Sequence, residues 1–421
     1  MKTTLSVWWG TSLVGDLSID EHGEMGFAYS EAWLADAARP ALSHSLPKQA
    51  EPFDRREARP FFAGLLPEET QRDGVARILG LSKGNDFALL NALGGDVAGA
   101  LTLWPEGEIP HTYDGRTARD PLADNALVEL LDILPKRPLL AGEKGIRVSL
   151  AGAQSKLPVV LVDGRVALPA PDQPSTHIIK PAIDRLPHTT ENEAFAMRLA
   201  AAMGLSVAPV ELRRVGGRSY LLVTRNDREA DAKGAVRRLH QEDFCQALGI
   251  APEKKYSAEG GPTFKQGFQL VRDVAPTPAP EVLKLLDAAL FNLIVGNADA
   301  HGKNYSLLYR DDGAILAPLY DLMCTAAYPD VSPKLAMKIG EAGTLDDVSP
   351  STWPKFAKET SLGGVFVRER MLDLARAVAG VSRMVADDIA AGGFSKPELR
   401  RFSDIVDARA ERLFARTMKA D

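Results

Sequence analysis

Cysteine is nearly absent from this chain. Its two residues, Cys245 and Cys324, lie far apart in no metal-ligand spacing, which argues against a disulfide scaffold and fits a reducing, cytoplasmic setting. Positive charge is not in excess either. The 50 Lys and Arg against 56 Asp and Glu leave a formal net charge of −6, so composition gives no support to free-standing nucleic-acid binding, although DNA contact through a local basic face or a partner stays open. No apolar run is long enough to span a membrane. The first ten residues lack the long apolar core of a signal peptide. There is no internal repeat, no Gly-x-x-x-x-Gly-Lys-Ser/Thr loop and no Gly-x-Gly-x-x-Gly. What remains is an ordinary globular composition, 421 residues with 45% hydrophobic and 25% charged, which suits two or three domains.

The densest chemistry lies in Gly296-Asn297-Ala298-Asp299-Ala300-His301-Gly302-Lys303-Asn304. Asp299 and Asn304 are five positions apart, and Asp321 follows after a hairpin pattern. A catalytic Asp, a metal-binding Asn and a second metal-binding Asp come in this order, with the same first gap, in protein kinases. The spacing therefore points to a magnesium-dependent phosphoryl-transfer site. Asp299 would orient a hydroxyl and accept its proton. Asn304 and Asp321 offer hard oxygen ligands, and Lys303 would offset phosphoryl charge. His301 would contact phosphate or hold the loop. The competing reading is a solvated polar loop.

The rest of the chain supplies the setting. Residues 3–9, 12–18 and 24–29 read as strands, 30–36 as a capped helix, and helical patterns follow from Ala58 and over 86–92. Residues 1–105 form an α+β unit with no catalytic constellation. A linker and helix span 106–144. From Gly145 the pattern becomes a sheet: strands at 146–150, 157–162, 165–168, 177–180, 207–213 and 219–224, with a helix over 191–203. Residues 227–421 are mostly helical: one helix starts at Gln241, another covers 281–295, and further ones cover about 351–360, 364–379, 382–391 and 396–418.

Within 145–226 the turn Ala151-Gly152-Ala153-Gln154-Ser155-Lys156 carries small residues that let backbone N–H groups approach an anion, with a lysine beside them. It reads equally as a simple hairpin turn. Lys180 ends a strand expected in the sheet interior and needs a partner there; Glu193, on the next helix, would serve as the glutamate of a kinase Lys–Glu pair. Taken alone, Lys180 reads as a solvent-facing strand end. Val223-Thr224-Arg225-Asn226 runs as a connector into the helical part. The order of turn, lysine, glutamate, connector and Asp–Asn–Asp is that of a two-lobed, protein-kinase-like α+β fold with ATP between the lobes.

On these residues, together with Glu191-Asn192-Glu193, Thr224 to Arg228, His240 to Gln246, Pro318-Leu319-Tyr320-Asp321 and Phe61 to Glu68, the chain resembles the HipA family of serine/threonine kinase toxins from bacterial type II toxin–antitoxin systems. The resemblance covers nearly the whole chain. It implies Asp299 as catalytic base and Asn304 and Asp321 as magnesium ligands. It implies ATP contacts from Ala151, Gly152, Ala153, Gln154, Ser155, Lys156, Lys180, Thr224, Arg225, Asn226, His301, Gly302, Lys303, Asn304, Tyr320 and Asp321. Ser149 corresponds to the serine that family members phosphorylate on themselves, a modification expected to expel the loop. The implied partners are a HipB-like helix-turn-helix antitoxin, operator DNA through that complex, and a protein substrate such as an aminoacyl-tRNA synthetase. Three positions depart from the pattern: Ser155 stands where an acidic residue is usual, Thr224 where Glu is expected, and Asn226 where an apolar residue is expected. Two alternatives remain at this point: a kinase-fold corepressor that binds antitoxin and DNA without useful phosphoryl transfer, and another ATP-dependent enzyme, such as a ligase, using the same clamp.

Overall fold

The computed structural model describes residues 3–110, 113, 119–231 and 234–418. Part of the 106–144 linker thus lies outside the described residues, as do the first two residues of the chain. The chain forms two compact units, Met1–Pro181 with Arg213–Glu253 and Leu308–Arg310, and Ala182–Leu212 with Lys254–Leu307 and Asp311–Asp421.

Among its described residues the first unit includes a four-stranded sheet and most of a five-stranded one. β1 (Thr3–Trp9), β2 (Ser12–Ile19) and β3 (Met25–Tyr29) form an antiparallel meander, with β4 (Leu101–Pro105) returning beside β1. Alternation fixes the inner face: Leu5 and Val7 of β1 and Met25 and Phe27 of β3 are buried with Phe53, Phe61, Phe62, Leu89 and Leu90. Ser30 caps a short helix, Glu31–Ala35, by accepting from the Trp33 amide, as the sequence predicts. Asp54 and Glu57 form a reciprocal capping box on the helix Arg55–Gly64.

The second sheet of this unit contains β5 (Leu157–Val162), β6 (Arg165–Ala167), β7 (His177–Pro181), β8 (Val210–Val215) and β9 (Arg218–Thr224), in the order β6-β5-β7-β9-β8. The pairs β5–β6, β5–β7 and β7–β9 are antiparallel. Leu157, Val159, Ile179, Tyr220 and Leu222 pack on one face against the helix Asp124–Ile133 through Leu127, Leu130 and Leu131.

The second unit is mainly helical. Its central helix, Pro278–Val295, is buried along nearly its whole last half, so its apolar residues run all round rather than as a stripe. Thr189–Ala202, Phe264–Val274, Thr352–Thr360, Gly364–Val378, Val381–Ala391 and Lys396–Met418 complete the helical set. Among the described residues no helix is long and apolar enough to cross a membrane.

The structure corrects the sequence reading in several elements. Residues 146–150 form no strand: the alternating Ile146, Val148 and Leu150 pair only through a single parallel bridge between Val148 and Asp96. The helix expected from Gln241 begins at Phe244, because Gln241–Asp243 is a strand and Asp243 is the N-cap. The helices Glu69–Leu79 and Phe264–Val274 have no counterpart in the sequence reading. Nor does the strand pair Lys334–Ile339 and Ala342–Thr344.

Candidate active site

The loop that carries Asp299 is fastened from below by the helix that precedes it. Pro278–Val295 ends at Gly296, whose φ of +78° is left-handed. A Cβ there would press on Ala326 and on the Arg409 guanidinium, so the position demands glycine. Arg409 is buried and donates from Nε and Nη2 to the Leu293 carbonyl at 3.3 and 3.0 Å, satisfying one of the last acceptors of the helix. Thr325 Oγ1 donates to the Gly296 carbonyl at 2.9 Å and accepts from the Ala298 amide at 2.8 Å. Asn297 Nδ2 donates to Asn292 Oδ1 at 2.9 Å, and its own Oδ1 accepts from the Asp299 amide at 3.1 Å. The scaffold is buried while Asp299 is exposed, which leaves its carboxylate able to meet a hydroxyl arriving from solvent.

Beyond Asp299 the chain turns back on itself. The His301 amide donates to the Asp299 carbonyl at 2.8 Å and to Asn304 Oδ1 at 3.1 Å. Asn304 Nδ2 lies 3.5 Å from Asp321 Oδ2, so two residues seventeen apart in sequence stand side by side. Tyr320 locks this pairing: its hydroxyl donates to the Lys303 carbonyl at 2.7 Å and lies 2.6 Å from Ser306 Oγ. Asp321 adopts a left-handed φ of +60°, uncommon for a residue with a side chain. His301 and Lys303 are buried within the loop.

The donor set of Asn304 and Asp321 suits magnesium, which takes hard oxygens and is usually held by one or two protein ligands alongside phosphate and water. Asn304 Oδ1 accepts one hydrogen bond and has a second lone pair to offer. Among the described residues no group of three or more His, Cys, Asp and Glu side chains gathers as a self-sufficient metal cage.

In the first unit, the segment 149–156 is a loop, not a turn between two ladder strands. Ser149 is completely buried and its hydroxyl donates to the Leu65 carbonyl at 2.7 Å. Lys156 Nζ folds back onto the Ala151 carbonyl at 2.7 Å. Gly152 has a φ of +110°, a left-handed backbone that favours glycine. The Gly152 carbonyl accepts from the Glu68 amide at 3.2 Å, and Ser155 Oγ accepts from Gln71 Nε2 at 3.2 Å. Ala153 and Gln154 are half-buried between these anchors.

Lys180 sits on β7, flanked by β5 and β9 and paired with Leu221. It is buried, although by alternation it projects from the face opposite Ile179 and the apolar core. The solvent-facing alternative for Lys180 is therefore excluded. Glu193 lies in Thr189–Ala202 and is also buried, in the second unit. The connector is more engaged than the sequence suggests. The Arg225 amide donates to the Thr176 carbonyl at 3.0 Å. Its guanidinium contacts Asp227 Oδ1 and Oδ2 at 2.9 and 2.7 Å, Ser175 Oγ at 2.9 Å and the Val97 carbonyl at 2.9 Å. The Arg225 side chain thus serves the connector's own structure. Thr224 and Asn226, on either side, are half-buried.

Two features had no local signal in the sequence. Asp96 anchors the connector: it contacts Arg228 Nη2 at 2.7 Å, Arg238 Nε at 3.3 Å and Arg225 Nη1 at 3.5 Å, and Ser175 Oγ donates to it at 2.6 Å. Burial alone would raise its pKa, but the three guanidiniums hold the carboxyl well below the usual carboxylate range. The second feature is Tyr256, whose hydroxyl donates to Asp299 Oδ1 at 3.0 Å from 43 residues away. Long-range pairs of this kind leave no periodicity to read.

Comparison with known proteins places these observations in a family. Residues 148–386 match the model of the HipA-like C-terminal domain, and residues 5–104 that of the HipA N-terminal domain. The chain is 56% identical over 409 residues to "Putative kinase Y4mE" of Sinorhizobium fredii, covering 97% of each. It is 30% identical over 402 residues to the serine/threonine-protein kinase toxin HipA of Shewanella oneidensis, covering 92% of this chain and 89% of that one. The solved structure of Shewanella oneidensis HipA with HipB and operator DNA superposes with a TM-score of 0.85 at 28% identity over 99% of both chains. By sequence along both family domains and by fold over its whole length, the chain belongs to the HipA family.

Proposed function

We propose that this protein is a serine/threonine protein kinase that uses ATP and magnesium and acts in the cytoplasm as the toxin of a type II toxin–antitoxin pair. The observation that carries the reading is the catalytic loop: an exposed Asp299 on a buried scaffold, with Asn304 brought beside Asp321. Asp299 takes the proton of an acceptor hydroxyl as its oxygen bonds to the γ-phosphorus of ATP; the bond from that phosphorus to the β–γ bridging oxygen breaks, and ADP leaves. Magnesium, held by Asn304 and Asp321, supplies charge neutralisation at the phosphate oxygens. Ala151 to Lys156, Lys180, His301, Gly302 and Lys303 contact the phosphates. Tyr320 keeps Asp321 in place, and Thr224 to Asn226 meet the nucleotide through their backbone.

Ser149 is the self-phosphorylation site in this reading. Its hydroxyl is buried against the Leu65 carbonyl, so it reaches ATP only after that bond opens. A phosphate carrying about −1.5 to −2 charges cannot return to that buried seat against a carbonyl, and the 149–156 loop then stays out and activity stops. The Shewanella oneidensis relative, solved with HipB and operator DNA, supports a HipB-like antitoxin as partner and DNA contact through the complex. The protein substrate is a translation factor such as an aminoacyl-tRNA synthetase.

The test is growth. Expression without antitoxin arrests cells, and Asp321→Ala relieves the arrest at equal protein level. Equal growth of cells expressing wild type and variant favours the corepressor reading instead.

A further inference from the structure

We propose that Tyr256 is a positioning residue for Asp299: its phenol holds one carboxylate oxygen so that the other is presented to the acceptor hydroxyl. The inference rests on the kinase reading above and adds a residue to it.

Four contacts fasten the segment 255–262 to the catalytic loop, all within the second unit. The Tyr256 hydroxyl donates to Asp299 Oδ1 at 3.0 Å. The Tyr256 ring meets the His301 imidazole edge to face, with centroids 5.5 Å apart and planes at 85°. The Lys255 carbonyl accepts from the Gly302 amide at 3.2 Å. Pro262 lies against Gly302 so closely that a Cβ at 302 would collide with its ring. The segment is itself closed: the Glu259 and Gly261 amides both donate to the Tyr256 carbonyl at 2.9 Å.

Three of these contacts prop backbone or ring. The phenol does something different, because it reaches the reacting carboxylate. A hydrogen bond to a carboxylate oxygen restrains the rotation of that carboxylate. A phenol donates a hydrogen bond while leaving the negative charge on the carboxylate, so Asp299 keeps its capacity as a base. Holding one oxygen removes rotational states that do not face the acceptor, which lowers the barrier through orientation.

The test measures incorporation of labelled phosphate from magnesium-ATP into the full-length chain, as a function of ATP concentration, for wild type, Asp299→Ala, Tyr256→Phe and Tyr256→Ala. Tyr256→Phe keeps the ring on His301 and removes only the hydroxyl. The expected result is a maximal rate lower by about ten- to a hundredfold, with half-saturating ATP and Tm unchanged. Tyr256→Ala is expected to be no faster than Tyr256→Phe. Wild-type rates in Tyr256→Phe with a slow Tyr256→Ala overturn the proposal, since only the ring then matters. A faster Tyr256→Phe, or phosphate mapped to Tyr256 itself, also overturns it, because the phenol then competes for the place of the acceptor. Absence of Asp299-dependent incorporation in wild type overturns the kinase reading and the positioning role together.

Discussion

Glu242 brings a carboxyl group into a fully buried setting, where Ser43 Oγ and Tyr309 OH donate to it at 2.5 Å each and the His44 amide at 3.1 Å. Burial pushes its pKa up to about 7 despite these donors. Its neighbour His240, its ring tilted against Trp9 with centroids 4.6 Å apart, is driven the other way by burial, to about 4. The signs follow from linkage. A raised carboxyl pKa means that the folded state binds more protons than the unfolded state between pH about 4.5 and 7, so this group's contribution falls as pH rises through that window. His240 contributes oppositely, losing stability as pH falls from about 6.5 to about 4. The two nearly offset in the wild type. Glu242→Gln removes one of them, so the stability of the variant relative to wild type rises from pH 5 to pH 8, by up to about 3 kcal/mol. Denaturant unfolding of both proteins at the two pH values checks this; a pH-independent difference contradicts it. The polar residues of the candidate loop were its most legible part at this scale. Asp299, Asn304 and Asp321 announce themselves by residue type and spacing, whereas Tyr256 and Asp96 act across 43 and about 130 residues and announce nothing.

At the scale of elements, helices with uninterrupted apolar periodicity were readable almost to the residue. Gly364–Val378, Val381–Ala391 and Lys396–Met418 fall where the pattern places them. Phe264–Val274 escaped because it is short and flanked by helix-breaking residues, Gly260-Gly261-Pro262 before it and Pro276 after it; Thr263 with Gln266 forms its capping box. Residues 146–150 misled for the reverse reason: alternation identifies a strand only where a partner exists, and here the partner is one bridge to Asp96. That same Asp96 ties three chain segments together. Asp96 and Asp227 face Arg225, Arg228 and Arg238 in a buried cluster. Burial, and then Arg225 beside it, lower the Arg228 pKa to about 10, while the arginines bring Asp227 down to about 2 against the cost of its burial. Asp96→Ala leaves buried guanidiniums with too little compensating charge and is expected to cost about 3 to 5 kcal/mol in unfolding free energy. A loss below about 1 kcal/mol, the range of exposed ion pairs, contradicts the clasp.

At the scale of the whole molecule, composition excluded more than it identified. Low cysteine and a net charge of −6 set aside a disulfide scaffold and gave free nucleic-acid binding no support, but neither points to a kinase. The order of the motifs did, and the family match over 148–386 and 5–104 agrees with it. What the order of motifs could not convey is the conformation of the 149–156 loop. The resemblance singles out Ser149 by type and place, and only the fold shows its hydroxyl sealed against the Leu65 carbonyl. The central claim is phosphoryl transfer with Asp299 as base. Its most direct measurement is intact-mass analysis of the purified full-length chain after incubation with magnesium-ATP, for wild type and Asp299→Ala, with circular dichroism to establish that both are folded. The expected result is one added phosphate on wild type, mapped to Ser149, and none on the folded variant. Equal phosphate on both proteins, or none on a wild type shown to bind ATP, contradicts it.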